Sequence, residues 1–137
     1  MKHIQYKAGY KYQLHKDFFI STNIRPDVGM SSPTGFLELL ANGSLFIKKG
    51  YAWDGASGPA VDTKIFMRGS LVHDAIYQLL REGLDQKHRI EADKLMRTIC
   101  VCDGMSKIRA WWCYTAVRSF AKRSATAGGM RPVMTAP

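Results

Sequence analysis

An α+β fold, a small N-terminal antiparallel sheet followed by three α-helices with the first two as an antiparallel pair, is predicted by three features of this sequence. Up to Gly50, apolar and polar residues alternate: Tyr10, Tyr12 and Leu14, then Phe18 and Ile20, Leu37 and Leu39, Leu45 and Ile47. That is the period of a strand with one buried face. Beyond Pro59 the period lengthens to that of a helix, with Val72, Ile76, Leu79 and Leu80 on one stripe. Between the two regimes lies a Gly- and Pro-bearing stretch, residues 50–59, that suits neither.

The elements follow in order. Asn42-Gly43 stands between the last two alternating runs, where a tight hairpin needs residues that accept positive φ. Residues 24–35 hold Pro26, Gly29, Ser31, Ser32 and Pro33 and are expected to be an irregular loop. Asp62 or Thr63 can cap a first helix running toward Glu82 and ended by Gly83, although Gly69 inside this stretch could delay its start to Ser70. A second helix is expected over 87–102, with Ala92, Leu95, Met96 and Ile99 inward and Gly104 as its stop. Ser106 caps a third over 106–122, which is apolar on most sides through Ile108, Trp111, Trp112, Tyr114, Val117 and Phe120. Such breadth fits either central packing or a face awaiting a partner. Residues 1–123 are expected to form one α+β domain, and residues 124–137, rich in Ala, Gly, Thr and Pro without a period, a flexible tail.

At 137 residues and 46% hydrophobic content the chain can bury a core without metal or disulfide staples. It shows no apolar run long enough for a membrane span and no signal-peptide stretch, so a bacterial cytoplasm or a virion is the expected location. Cys100, Cys102 and Cys113 are an odd count in apolar helical surroundings, expected to pack and not to pair or bind zinc. The formal charge of +9 is concentrated late: from Met105 onward come Lys107, Arg109, Arg118, Lys122, Arg123 and Arg131 with no Asp or Glu. A basic end of this kind favours an anionic partner or forms a solvated helix face.

The residues able to carry chemistry cluster in residues 51–96. His73 and Tyr77, four apart, share a helix face, and Asp74 points about 100° away. If the second helix returns antiparallel through 83–86, Asp93 falls beside Tyr77 and within a turn of His73. A carboxylate there fixes the imidazole tautomer and steadies its protonated form, leaving the other nitrogen to take a proton from water. Asp74 with carbonyls of the loop could hold calcium, which prefers oxygen ligands, and the loop glycines allow close backbone approach. Asp54 could be a further ligand or bond its own loop. Arg68 and Arg89 could hold a phosphate or pair with Asp93 and Asp62, and structural pairing is the expected use.

Two resemblances attach to these residues. The strings Gly50-Tyr-Ala-Trp-Asp-Gly-Ala-Ser-Gly-Pro59, Arg68-Gly-Ser-Leu-Val-His-Asp-Ala-Ile-Tyr77 and Arg89-Ile-Glu-Ala-Asp93 resemble the DUF1353 family of small phage and prophage proteins, over nearly the whole chain. This implies a phage origin and no particular activity. More distantly, the glycine loop, Asp62, His73-Asp74-x-x-Tyr77 and Ala92-Asp93 resemble the phospholipase A2 pattern, especially its disulfide-free form in parvovirus capsid proteins. That resemblance implies His73 as general base, Asp93 and Tyr77 orienting it, and calcium held by Asp74 and carbonyls near Tyr51, Gly55 and Gly58. The loop departs from the pattern in spacing its glycines as Gly55-Ala-Ser57-Gly58.

Two functions are therefore open. One is a calcium-assisted lipid esterase that serves envelope passage or lysis, its basic helix toward phospholipid. The other is a non-catalytic virion component, of the tail or its accessories, whose polar cluster only ties helices together and whose third helix contacts other phage proteins or further copies. Nucleic-acid binding rests on charge, Trp111 and Trp112 alone, and those tryptophans are expected in the core.

Overall fold

The computed structural model describes residues 6–7, 12–53, 64–120 and 125–126, with the side chains of Tyr6, Lys7 and Phe120 left aside. They form an α+β chain of antiparallel strands followed by three helices. The described residues up to Trp53 make one compact unit and those from Lys64 onward another.

The first unit holds two sheets. Strands β1 (Tyr6–Lys7), β2 (Tyr12–Leu14) and β7 (Ala52–Trp53) form one, in the order β1-β2-β7. Strands β3 (Phe18–Ser21), β4 (Met30–Ser31), β5 (Leu37–Leu39) and β6 (Ser44–Ile47) form the other, in the order β3-β6-β5-β4. All described pairings are antiparallel, and the register sets Phe18 and Leu37 opposite Ile47, and Leu39 opposite Leu45. These residues, each at most 3% exposed, line the buried face as the alternation predicts. Phe46, on the other face, packs on Phe19 with ring centroids 4.9 Å apart. The expected irregular loop over 24–35 contains β4, a two-residue strand too short to leave a periodic trace.

The β5–β6 hairpin differs in detail from a two-residue turn. Gly43 N donates to Leu40 O and Leu40 N donates to Ser44 O, each at 2.9 Å, so the loop is longer by a residue. Only Gly43 takes positive φ, +93°, while Asn42 uses its side chain to accept from Ser44 N at 2.9 Å. A Cβ on Gly43 would lie 2.2 Å from the carbonyl oxygen of Thr22, whose own N–H and hydroxyl both donate to Gly43 O. Gly43→Ala should therefore cost at least about 2 kcal/mol, the left-handed strain plus the clash. Gly35 has φ +83° with nothing within 4 Å of the equivalent position, and Gly35→Ala carries the strain alone. Equal losses for the two variants in urea melts would refute the close approach of Thr22.

The second unit contains α1 (Lys64–Arg81), α2 (Arg89–Cys102) and α3 (Lys107–Phe120), with a 3-10 turn over Gln86–His88. Gly69 does not delay α1. It lies inside the helix because α2 comes so close that a Cβ there would meet Cys100 Sγ at 2.6 Å. Gly69 faces Met96 and Cys100, and His73 and Tyr77 face Asp93, so the two helices run antiparallel. The turn between them is made by Gly83, at φ +122°, and by Asp85, whose carboxylate accepts from Lys87 N. Ser106 Oγ caps α3 by accepting from Arg109 N at 3.2 Å. Phe66, Met96, Cys100, Met105, Ala110 and Cys113 form one core cluster among these helices.

Cys100 and Cys113 are buried free thiols, as the packing expectation requires, whereas Cys102 is exposed. Burial, with the nearby Cys113 and Asp103, pushes the Cys100 thiol up to about 12, so it stays protonated at neutral pH. The expected tail falls outside the described residues except for Ala125 and Thr126. Ala125 is buried and its carbonyl accepts from Gln86 Nε2 at 2.6 Å. Among the described residues no helix is long and apolar enough to cross a membrane.

Candidate functional site

The i, i+4 spacing of His73 and Tyr77 stacks their rings with centroids 4.1 Å apart on the face of α1 that meets α2. Opposite them Asp93 is 0% exposed. Its Oδ1 lies 2.7 Å from His73 Nε2 and accepts from the Tyr77 hydroxyl at 2.7 Å, and its Oδ2 accepts from Arg118 Nη1 at 2.9 Å. A carboxylate with no exposure is sustainable only with such full pairing. The three residues the sequence assigns to catalysis are thus brought together.

Electrostatics fix the tautomer. Burial alone would push the Asp93 carboxyl up, but the bonds from His73 and Tyr77, the charge of His73 and the bond from Arg118 hold it below its ordinary 3.8. Asp93 is ionised at neutral pH and only accepts, so Nε2 of His73 carries the hydrogen between them. In the neutral imidazole Nδ1 then keeps its lone pair, with Asp74 Oδ1 at 4.0 Å. Burial disfavours the imidazolium, yet the two carboxylates outweigh it and raise the His73 pKa above 6.5. Burial and the bond to Asp93 push the Tyr77 hydroxyl far up, so it serves as a fixed donor.

Both arginines are structurally paired, as expected, but Arg89 takes other partners than the one its spacing offered. Arg89 does not pair with Asp93: its Nε donates to the Tyr77 hydroxyl at 3.1 Å and its Nη2 to the carbonyls of Val117 and Arg118 at 3.0 and 3.1 Å. It thereby satisfies carbonyls near the end of α3, where a cation is favoured. Arg68 pairs with Asp103 through two bonds of 2.9 and 3.0 Å, an ion pair between α1 and the end of α2. The neutralising partner of Asp93 is Arg118, expected only as part of a basic end. Asp93 and Arg118 are too far apart in sequence for any local spacing rule to join them.

The remaining expected groups divide differently. Asp54, Gly55, Ser57, Gly58 and Asp62 lie outside the described residues. Asp74 is described and only partly exposed. Tyr51 belongs to the sheet unit, and its carbonyl, expected on calcium, accepts from Leu14 N at 2.8 Å. Among the described residues no three His, Cys, Asp or Glu side chains converge as metal ligands.

A family model described as "Protein of unknown function (DUF1353)" matches residues 37–117, more than half of the chain. The chain belongs to the DUF1353 family. No curated protein and no solved structure matches it, and none of these comparisons returns the phospholipase A2 pattern. The DUF1353 match runs from β5 into α3 and so spans His73, Tyr77, Arg89 and Asp93, but ends one residue before Arg118.

Proposed function

We propose that this DUF1353 chain is a phage-encoded ester hydrolase acting on phospholipid, with His73 as general base. The supporting observation is the wholly buried Asp93 carboxylate, which holds His73 Nε2 and the Tyr77 hydroxyl at 2.7 Å each. His73 Nδ1 takes a proton from a water molecule, whose oxygen attacks the ester carbonyl. The imidazolium so formed is balanced by Asp93 and Asp74, and Asp93 is held ionised by its bonds from His73, Tyr77 and Arg118. When the tetrahedral intermediate collapses, the imidazolium returns the proton to the departing alkoxide, giving carboxylic acid and alcohol. Asp74, the carboxylate next to the base, is the described side chain that would take a calcium ion, so hydrolysis is to be compared with and without that ion.

A second reading is favoured by the arginines. With Arg118 neutralising Asp93, Arg89 fastening α3 and His73 only 6% exposed, the network also suits a virion assembly piece without turnover. Purified protein incubated with phosphatidylethanolamine and phosphatidylglycerol vesicles, with calcium and with chelator, should release fatty acid and lysophospholipid in at least one arm. Silence in both arms, together with a fixed copy number in purified particles, would replace the hydrolase with the assembly piece.

A further inference from the structure

Helix α3 is apolar on two opposite faces. Ala110, Cys113 and Val117 turn toward the core, while Ile108, Trp111 and Trp112, at i, i+3 and i+4, form an outward stripe with exposures of 75%, 53% and 63%. The tryptophans are thus not core residues, contrary to the sequence expectation. Lys107 and Arg109, both exposed, flank the stripe about 100° to either side of Ile108. Beside it, α2 and α3 enclose a groove of about 380 Å³ lined by Arg97, Thr98, Val101, Cys102, Lys107 and Trp111. Its walls are mostly apolar, and two of its lining residues are cationic. The Arg97 guanidinium is held 4.5 Å above the Tyr114 ring. The chain carries no acidic residue from Met105 onward, and the nearest, Asp103, is bound to Arg68.

We infer that this face of α3 docks on an anionic phospholipid leaflet. The stripe would enter the interface, Lys107 and Arg109 would meet headgroups, and the groove would receive an apolar chain below the cations Arg97 and Lys107. A helix with an apolar stripe between basic flanks lies in the plane of such an interface, and Trp prefers that depth. Stacked bases fit less well. The Trp111 and Trp112 rings meet edge-on at 77° and give no parallel platform, and Ile108 offers no ring at all. A second copy would bring the same basic flanks against each other. Docking needs no turnover at His73 and goes beyond the hydrolase reading.

The test uses the full chain and vesicles of phosphatidylcholine alone or mixed equally with phosphatidylglycerol, read by co-sedimentation and tryptophan emission. Binding should be confined to the anionic vesicles, weaken with salt, and shift the emission to the blue. Trp111→Ser with Trp112→Ser should abolish the shift, because Trp53, the remaining tryptophan, is buried. Lys107→Glu with Arg109→Glu should lower partitioning by at least about thirtyfold. All four positions are exposed, and circular dichroism checks that the variants fold. His73→Gln should bind like the unaltered chain, separating docking from hydrolysis. Equal partitioning to both vesicle types, or unchanged partitioning of the variants, overturns the inference. So does a single-stranded oligonucleotide bound, or a dimer formed, through the tryptophans with no vesicle binding.

Discussion

Asp93→Ala should lower the unfolding free energy by about 3–5 kcal/mol, measured by urea denaturation at neutral pH. The carboxylate is fully buried and accepts from three side chains on two other helices. Its removal leaves His73 Nε2 and the Tyr77 hydroxyl without an acceptor, each worth about 1–3 kcal/mol when buried. Arg118 is 32% exposed and can turn to water, which draws the expected loss toward the lower end of the range. A loss below about 1 kcal/mol would mean that the carboxylate does not organise the three helices.

His73→Gln should reduce the proposed hydrolysis by about 10²- to 10⁴-fold, the usual contribution of a general base. The Gln amide reaches the place of Nε2 and can still donate to Asp93, so stability should fall far less than in Asp93→Ala. Undiminished hydrolysis in this variant would remove His73 from the reaction. In the unaltered protein the base must be neutral, so activity should climb with pH with a midpoint above 6.5, because the carboxylates raise the His73 pKa. Stability runs the other way. A raised His73 pKa contributes stability that is complete below 6.5 and lost as pH rises through the folded value. The lowered Asp93 pKa contributes stability that is complete above 3.8 and lost as pH falls through its folded value. Both are complete between 3.8 and 6.5. Unfolding followed from pH 5 to pH 9 should therefore show the chain weakening where turnover strengthens.

What the sequence made legible was local or periodic. Alternation located Leu37, Leu39, Leu45 and Ile47 on one buried face, and the helical period combined with a short turn brought Asp93 to His73 and Tyr77. What escaped depends on tertiary placement. Gly69 resembles a helix breaker until Cys100 is seen to occupy the space of its missing Cβ. Arg118 shares no spacing with Asp93, and Arg89, four residues before it on the same helix, was the better local candidate. The tryptophans misled because helical spacing places residues on a face without saying which face is covered. Two apolar stripes on one helix look like a single broad one in sequence.

The reach of Arg89 from the beginning of α2 to the last carbonyls of α3 fastens the outer helix far from the turn that joins the two. With Arg118 latched onto Asp93 nearby, α3 cannot swing outward without breaking charged bonds that also anchor Tyr77. The indole pair and the imidazole consequently sit on helices laced together by guanidinium bonds, so shifting one against the other would strand carbonyls and a buried carboxylate at once.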